Sequence, residues 1–286
     1  MYRALLCFSP SLSKRLIAKG ICAMPQVQRA LKEDRILIST GTTTAGIYTE
    51  LTGASPDQAL ACGMVTSKGL CVGRGMTRFL GKHGHAKFWY LEQGRLVHAE
   101  NLGETLAPFT SKDIFMKGAN ALDSRGRAGI LLGMEDGGIM GKAMGHVMAK
   151  GVHFLIPVGL EKTIYGSVME QAGEMGTRKL DYSSGMPVGL VPVSGQVVTE
   201  MEAIRELACV TVFHVASGGI SGGEGSVTLL IKGEKGEVEK IVQLYGELKA
   251  NDPPVMAAEP ALCHEHKWPP CAKRNIFFEE NVRNKR

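Results

Sequence analysis

The sequence predicts an α/β fold: a largely parallel central sheet with helices on both faces, an inserted or bordering β-hairpin, and a C-terminal arm. Three observations carry this. Short apolar runs alternate with helix-patterned stretches over most of the chain. Several of those runs, Arg35-Ile-Leu-Ile-Ser-Thr40 above all, are apolar nearly throughout, as strands covered on both faces are. Glycine makes up 36 of 286 residues, about 13% against a usual ~7%, and it gathers where one pattern gives way to the other. A hydrophobic content of 44% with 21% charged residues excludes a disordered chain and a disulfide-stapled miniprotein, and the absence of a G-X-Y period excludes collagen.

Tyr2 to Phe8 reads as a short strand or as the start of an apolar arm. Ser11 or Ser13 caps a helix carrying Leu16, Ile17 and Ile21, and Pro25 opens a second with Val27, Ala30 and Leu31 on one side. Residues 1–34 are thus expected to form a helical arm, 35–250 the ligand-binding domain, and 251–286 an extension beyond the break at Asn251-Asp-Pro-Pro254. Lys87 to Glu92 and Arg95 to Ala99, separated by Gln93-Gly94, read as the hairpin. The rhythm then resumes with strand Asp113–Lys117, helix Gly141–Lys150, strand His153–Val158 and helix Ser167–Met175. Strand Leu190–Val193, a helix capped by Thr199, strands Val210–Val215 and Val227–Lys232, and helix Glu237–Ala250 complete it.

Ser39-Thr-Gly-Thr-Thr-Thr44 is the strongest chemical signal. A glycine turn between a buried strand and a helix exposes backbone N–H groups, the helix start adds partial positive charge, and the hydroxyls add donors; together they suit a phosphate or carboxylate. A hydroxyl-rich cap with nothing bound is the other reading. Asp113-Ile-Phe-Met-Lys-Gly-Ala-Asn-Ala-Leu-Asp123 sets Lys117, Gly118, Asn120 and Asp123 at the carboxyl end of a strand, where open α/β sheets bind ligands, although Asn and Asp are also ordinary turn formers.

A strand ending in Gly-Thr-Thr-Thr, followed about 75 residues later by one ending in Lys-Gly-Ala-Asn-Ala-Leu-Asp, resembles the superfamily that unites ribose-5-phosphate isomerase A, glucosamine-6-phosphate deaminase and the class I CoA transferases. The resemblance covers residues 35 to 235 and implies a Rossmann-like fold. It implies that Gly41, Thr42, Thr43 and Thr44 form a phosphate loop, and that Glu135-Asp-Gly-Gly-Ile-Met-Gly141 is the glycine-rich turn that follows the second motif. The two aspartates that the isomerases use at the second motif fall on Lys117 and Asn120. Neither residue can abstract a C–H proton as a carboxylate does, so ribose isomerase activity is not expected.

Other groups at strand-to-helix junctions are candidates for the chemistry: Glu135 beside Gly137 and Gly138, Lys142, and Glu161-Lys162. Surface ion pairing is the alternative for each. Gly218-Gly-Ile-Ser-Gly-Gly-Glu-Gly225 holds more glycine than a tight hairpin needs, so Gly222, Gly223 and Glu224 read either as a ligand contact or as a flexible connection. Cys263, His264, His266 and Cys271 place four candidate zinc ligands within nine residues; in the competing reading Trp268 and Phe277-Phe278 dock the tail on the body or on a neighbouring subunit. His83 and His85, with His98 and Glu100, are a weaker metal set.

The net charge of +5 is held at the ends: residues 1–35 carry +5 and 271–286 carry +3, leaving about −3 between. That excludes a chain-wide nucleic-acid surface. Seven cysteines, mostly single among apolar neighbours, favour a reducing compartment. No stretch reaches the ~20 apolar residues of a membrane helix. The expectation is a cytoplasmic protein, forming homo-oligomers through the C-terminal arm, that binds a small anionic metabolite, phosphorylated or CoA-linked. As an enzyme of isomerase or transferase type, it would hold the anion at Gly41–Thr44, orient polar groups with Asn120 and Asp123, and use Glu135 or Glu161 as base or nucleophile, with no cofactor required. The alternative is a sensing or binding module that kept the pocket without the catalytic carboxylates.

Overall fold

The computed structural model describes residues 1–56, 63–66, 69–73, 76, 80, 82–83, 85–251, 271 and 274–276. In chain order its strands are Tyr2–Phe8 (β1), Arg35–Ser39 (β2), Met64–Thr66 (β3), Gly69–Cys71 (β4), Phe88–Glu92 (β5), Arg95–Val97 (β6) and Ile114–Met116 (β7). Ala121–Leu122 (β8), Ala128–Leu132 (β9), His153–Pro157 (β10), Gly189–Val193 (β11), Gln196–Val198 (β12), Val210–Ser217 (β13) and Val227–Gly233 (β14) follow. The helices are Pro10–Ala23 (α1), Pro25–Glu33 (α2), Thr42–Thr52 (α3), Leu102–Leu106 (α4), Gly138–Lys150 (α5), Val168–Glu174 (α6), Glu200–Leu207 (α7) and Lys235–Ala250 (α8).

A six-stranded mixed sheet, ordered β12-β10-β7-β2-β5-β6, forms the centre. β12, β10, β7 and β2 are parallel, and the hairpin β5–β6 adds two antiparallel strands at one edge. Its two-residue turn puts Gln93 and Gly94 at φ 48° and 75°, the left-handed conformation that matches the twist of the flanking strands. The continuous apolar runs are explained by burial on both faces. Ile36 and Ile38, Ile114 and Met116, and Leu155 point into a cluster with α1, α2 and Ile47 of α3. Leu37, Phe115, Phe154 and Ile156 point the other way, toward Ile139, Met140, Ala143 and Val147 of α5.

Three features differ from the sequence expectation. Residues 1–34 are part of the body: β1 pairs antiparallel with β14, and α1 packs between α3 and α7. The physical reason is that α1 is apolar on more than one side, with Leu12 and Leu16 in one core cluster and Ile17, Ala18 and Ile21 in the other. β13 and β14 do not extend the parallel sheet. They are joined by a loop with no helix, so they pair antiparallel, with β1 as the third strand. β11 likewise leaves the central sheet and pairs antiparallel with β9, which also takes β8. Among the described residues no helix is long and apolar enough to cross a membrane. The described cysteines, Cys7, Cys22, Cys71, Cys209 and Cys271, form no disulfide.

Candidate functional site

The carboxyl ends of β2, β7, β10 and β12 share one edge of the central sheet, and α3 and α7 begin there. α3 starts at Thr42 directly after Gly41, with no side chain capping its first N–H groups. The hydroxyls around it divide by role. Thr44 donates to the Ser39 carbonyl at 2.7 Å and Thr40 to the Lys87 carbonyl at 2.8 Å, while Thr42 is exposed and Thr43 half-buried. Lys117 follows β7 and sets its Nζ 3.4 Å from Ser39 Oγ, which ties it to the Gly41 turn. Gly118 approaches β10 closely: a Cβ there would stand 3.3 Å from the Pro157 carbonyl oxygen.

Lys117, Asn120, Gly137 and Gly138 line one cavity of about 90 Å³. Asn120 is fixed by accepting the Leu131 N–H at 3.0 Å. Gly137 and Gly138, at φ 77° and 56°, form the turn that enters α5, which L side chains adopt rarely. Asp136 accepts the Gly138 N–H at 2.9 Å and stands 3.5 Å from Lys142 Nζ, so the chain's own carboxylate serves this helix start. Glu135 faces away in a bidentate pair with Arg178, both contacts 2.9 Å. Those hydrogen bonds and the guanidinium charge hold its carboxyl below the usual range, which makes it a weak proton acceptor.

Asp123 is buried. Burial alone pushes its carboxyl up, but N–H donors from Arg127, Val168 and Arg125 and the Arg127 guanidinium outweigh this and hold it low. Its bonds tie the β8–β9 turn to the start of α6 and orient the backbone. Glu224 is exposed and accepts the Gly222 N–H at 2.9 Å, closing its own loop beside Gly223.

A second group lies at the β10 and β12 ends. Glu161 sits in a 3-10 turn, Leu160–Lys162, its carboxylate folded against Gly159, and one of its oxygens is buried without a hydrogen-bond partner. Glu200, the first residue of α7, is fully buried and accepts the Leu160 N–H at 2.9 Å, leaving its other oxygen unpartnered. The buried Ser13 hydroxyl lies beside Glu200 without reaching hydrogen-bond geometry. Burial pushes the Glu200 carboxyl up to about 7; its own N–H and that of Leu160 oppose this, and the Glu161 charge adds to it. Burial also lowers the Lys14 amine, with Glu161 acting in the opposite sense. The Gly218–Gly225 loop reaches this group, a Cβ on Gly225 falling 3.9 Å from Glu161 Cβ. Sequence reasoning singled out Glu161 but missed Ser13 as a site residue, Lys14 and Glu200. The one available signal was a glutamate directly after the Thr199 cap at a strand end.

Cys263, His264 and His266 lie outside the described residues. Cys271 is buried in an apolar cluster with Val72, Met76 and Val188. Beside it, Asn275 accepts the Gly185 N–H at 3.2 Å and Arg274 Nε donates to the Leu180 carbonyl at 2.6 Å, so this short piece is docked on the body. His83 and His98 each stand 3.8 Å from a Glu100 oxygen. Among the described residues, no group of three or more His, Cys, Asp or Glu is placed to hold a metal ion.

No family model, curated protein or solved structure matches the chain.

Proposed function

We propose that the protein is a cytoplasmic small-molecule enzyme with a Rossmann-like core, allied to the isomerase and CoA-transferase superfamily. It takes a small anionic metabolite, phosphorylated or CoA-linked, at Gly41–Thr44 and Lys117. Glu161 is the carboxylate that moves a proton. The observation that carries this reading is the buried, unpartnered oxygen of Glu161 at the same sheet edge as Lys117. A buried acceptor without a donor costs about 1–3 kcal/mol, a cost that a ligand bringing a donor to that edge would remove. Lys117, after the neighbouring strand β7, and the uncapped start of α3, after β2 beyond it, supply opposite charge one and two strands from Glu161, so one ligand is bound at its anionic end and worked on at the other.

Inorganic phosphate, titrated calorimetrically, and a turnover screen over phosphorylated and CoA-thioester metabolites test this together. Glu161→Gln should keep phosphate binding and lose turnover at least a hundredfold, whereas Lys117→Met should weaken phosphate binding. Turnover unchanged in Glu161→Gln refutes the role of Glu161. A binding module without catalysis is the second reading, favoured by Lys117 and Asn120 standing where the isomerases carry aspartates; it predicts wild-type binding with no turnover across the whole screen.

A further inference from the structure

The cavity beside Lys117 has two walls of different origin. Ile130 of β9 and Met140 of α5 belong to the main core, whereas Val72, Met186 and Val188 belong to a separate buried cluster that also holds Cys271. That second wall is a ladder of three short pieces: β4, residues 183–186, and residues 274–276. Toward β4, the Leu70 N–H donates to the Ser184 carbonyl at 3.2 Å and the Met186 N–H to the Leu70 carbonyl at 2.7 Å. Toward the tail, the Ser183 N–H donates to the Arg274 carbonyl and the Ile276 N–H to the Ser183 carbonyl, both at 3.0 Å, and the Gly185 N–H donates to Asn275 Oδ1 at 3.2 Å. A Cβ on Gly185 would stand 2.3 Å from the Leu70 carbonyl oxygen, so residues 183–186 and β4 lie main chain against main chain and move as one piece. Met186 then reaches from this piece to the end of β9, where a Cβ on Gly133 would stand 2.5 Å from its Cε.

We infer that residues 271 and 274–276 are a strap that closes this cavity, and that its release lets residues 183–186 and β4 swing out and lift Met186 off Gly133, opening the cavity to solvent. The strap is the part that opens because of what holds it. Cys271 and Asn275 are buried, but Ile276 is 45% exposed, so hydrogen bonds carry more of the attachment than apolar area does, and such an element opens at lower cost than the body beneath it. Arg274 is its latch: Nε donates to the Leu180 carbonyl at 2.6 Å and Nη2 to the Arg178 carbonyl at 3.3 Å. Arg178 in turn holds Glu135, two residues before the Gly137–Gly138 turn that lines the same cavity. Glu135 thereby takes a part in closure. The inference goes beyond the proposed function and stands without it, since it needs no ligand.

Hydrogen peroxide is the probe, because a buried thioether is oxidised only when peroxide reaches it. The full chain and its Arg274→Ala variant are pulsed with peroxide, and each methionine is followed by peptide mass spectrometry. Met140 is the decisive reporter, since it lines the cavity from α5; Met116, fully buried on the other face of the sheet, reports opening of the body, and exposed Met148 sets the unhindered rate. Losing two hydrogen bonds from a charged donor should raise oxidation of Met140 and Met186 at least about fivefold and leave Met116 unchanged. If Met186 alone speeds up, or neither does, the strap does not close the cavity; if Met116 rises in step with Met140, the whole chain has loosened, and the inference fails. Should Arg274→Ala not fold, amide hydrogen exchange of the wild type decides. The Leu70, Ser183, Gly185, Met186 and Ile276 N–H groups should then share one opening equilibrium, at least tenfold more open than the Lys117 and His153 N–H groups of the central sheet. Leu70 and Met186 as protected as the central sheet, while Ser183 and Ile276 exchange fast, would show that the tail frays without moving the wall, and would overturn the inference.

Discussion

Glu200 offers the most direct physical test of the acidic half of this edge. Its carboxyl is fully buried and is raised from an ordinary 4.5 to about 7, chiefly by burial. In the unfolded chain it is solvated and ionises at its ordinary value. Between those two values the folded protein therefore holds a proton that the unfolded chain has released, and stability falls as pH rises through the window. The favourable contribution is complete below about pH 4.5 and is lost as pH passes about 7. A shift of about 2.5 pH units at 1.36 kcal/mol each amounts to about 3 kcal/mol, on the order of 6 °C in Tm for a chain of this length. Glu200→Gln removes the titration and keeps an oxygen for the Leu160 N–H, while its amide can donate to the Ser13 hydroxyl. Denaturant unfolding from pH 4.5 to 8.5 should show the variant close to wild type at the acid end and about 3 kcal/mol more stable at the alkaline end. Charges facing the site from other elements, Glu161, Lys14 and Lys162, modulate the slope but not its sign. A difference between the two proteins that is independent of pH, or a variant less stable at pH 8.5, refutes the reasoning.

Two further outcomes follow from the packing. Asp123→Ala leaves the Arg125, Arg127 and Val168 N–H groups and the Arg127 guanidinium without their carboxylate, and should cost on the order of 3–5 kcal/mol at neutral pH by denaturant unfolding; because the Asp123 carboxyl is held low, that difference should shrink as pH falls below the usual carboxylate range. Gly20→Ala puts a methyl group where α1 meets α7, with Ala203 Cβ 2.5 Å from the new carbon, and should cost at least about 2 kcal/mol, read as a Tm loss; an unchanged Tm would show that the two helices do not touch there.

What the sequence made legible was local. β2, β7 and β10 could be read because each is a run of Ile, Leu, Phe or Met buried on both faces, and the β5–β6 turn because Gln93-Gly94 sits between alternating strands. The α7 start was readable from Thr199, whose hydroxyl lies 2.5 Å from a Glu202 oxygen in a capping box. Pairing partners were not readable. Nothing in Val227-Thr-Leu-Leu-Ile says that its neighbours are Tyr2–Phe8 and Val210–Ser217, and the period of two is the same for either sheet. β9 was hidden for a related reason, since Ala128-Gly-Ile-Leu-Leu132 is too short and too glycine-rich to stand out from the turns around it.

The same distinction divides the candidate site. Its cationic half is contiguous in sequence, with Gly41–Thr44 directly after β2 and Lys117 directly after β7, so a reader of the chain meets each beside its strand. The acidic half is assembled from Ser13, Lys14, Glu161 and Glu200, which lie on α1, a 3-10 turn and α7. In sequence Glu200 reads as an ordinary acid in the first helical turn, a place where a carboxylate is solvated and favoured by the helix dipole. What changes its character is α1, which packs on α7 closely enough that Gly20 has no room for a side chain. Burial of Glu200 is therefore a property of the docked N-terminal helix, and the unusual protonation of this edge belongs to residues that the chain's first 34 positions cover. A buried carboxylate that depends on a distant helix for its surroundings cannot be found by motif. It becomes visible only once the unpartnered oxygens of Glu161 and Glu200 are seen at one end of the same sheet.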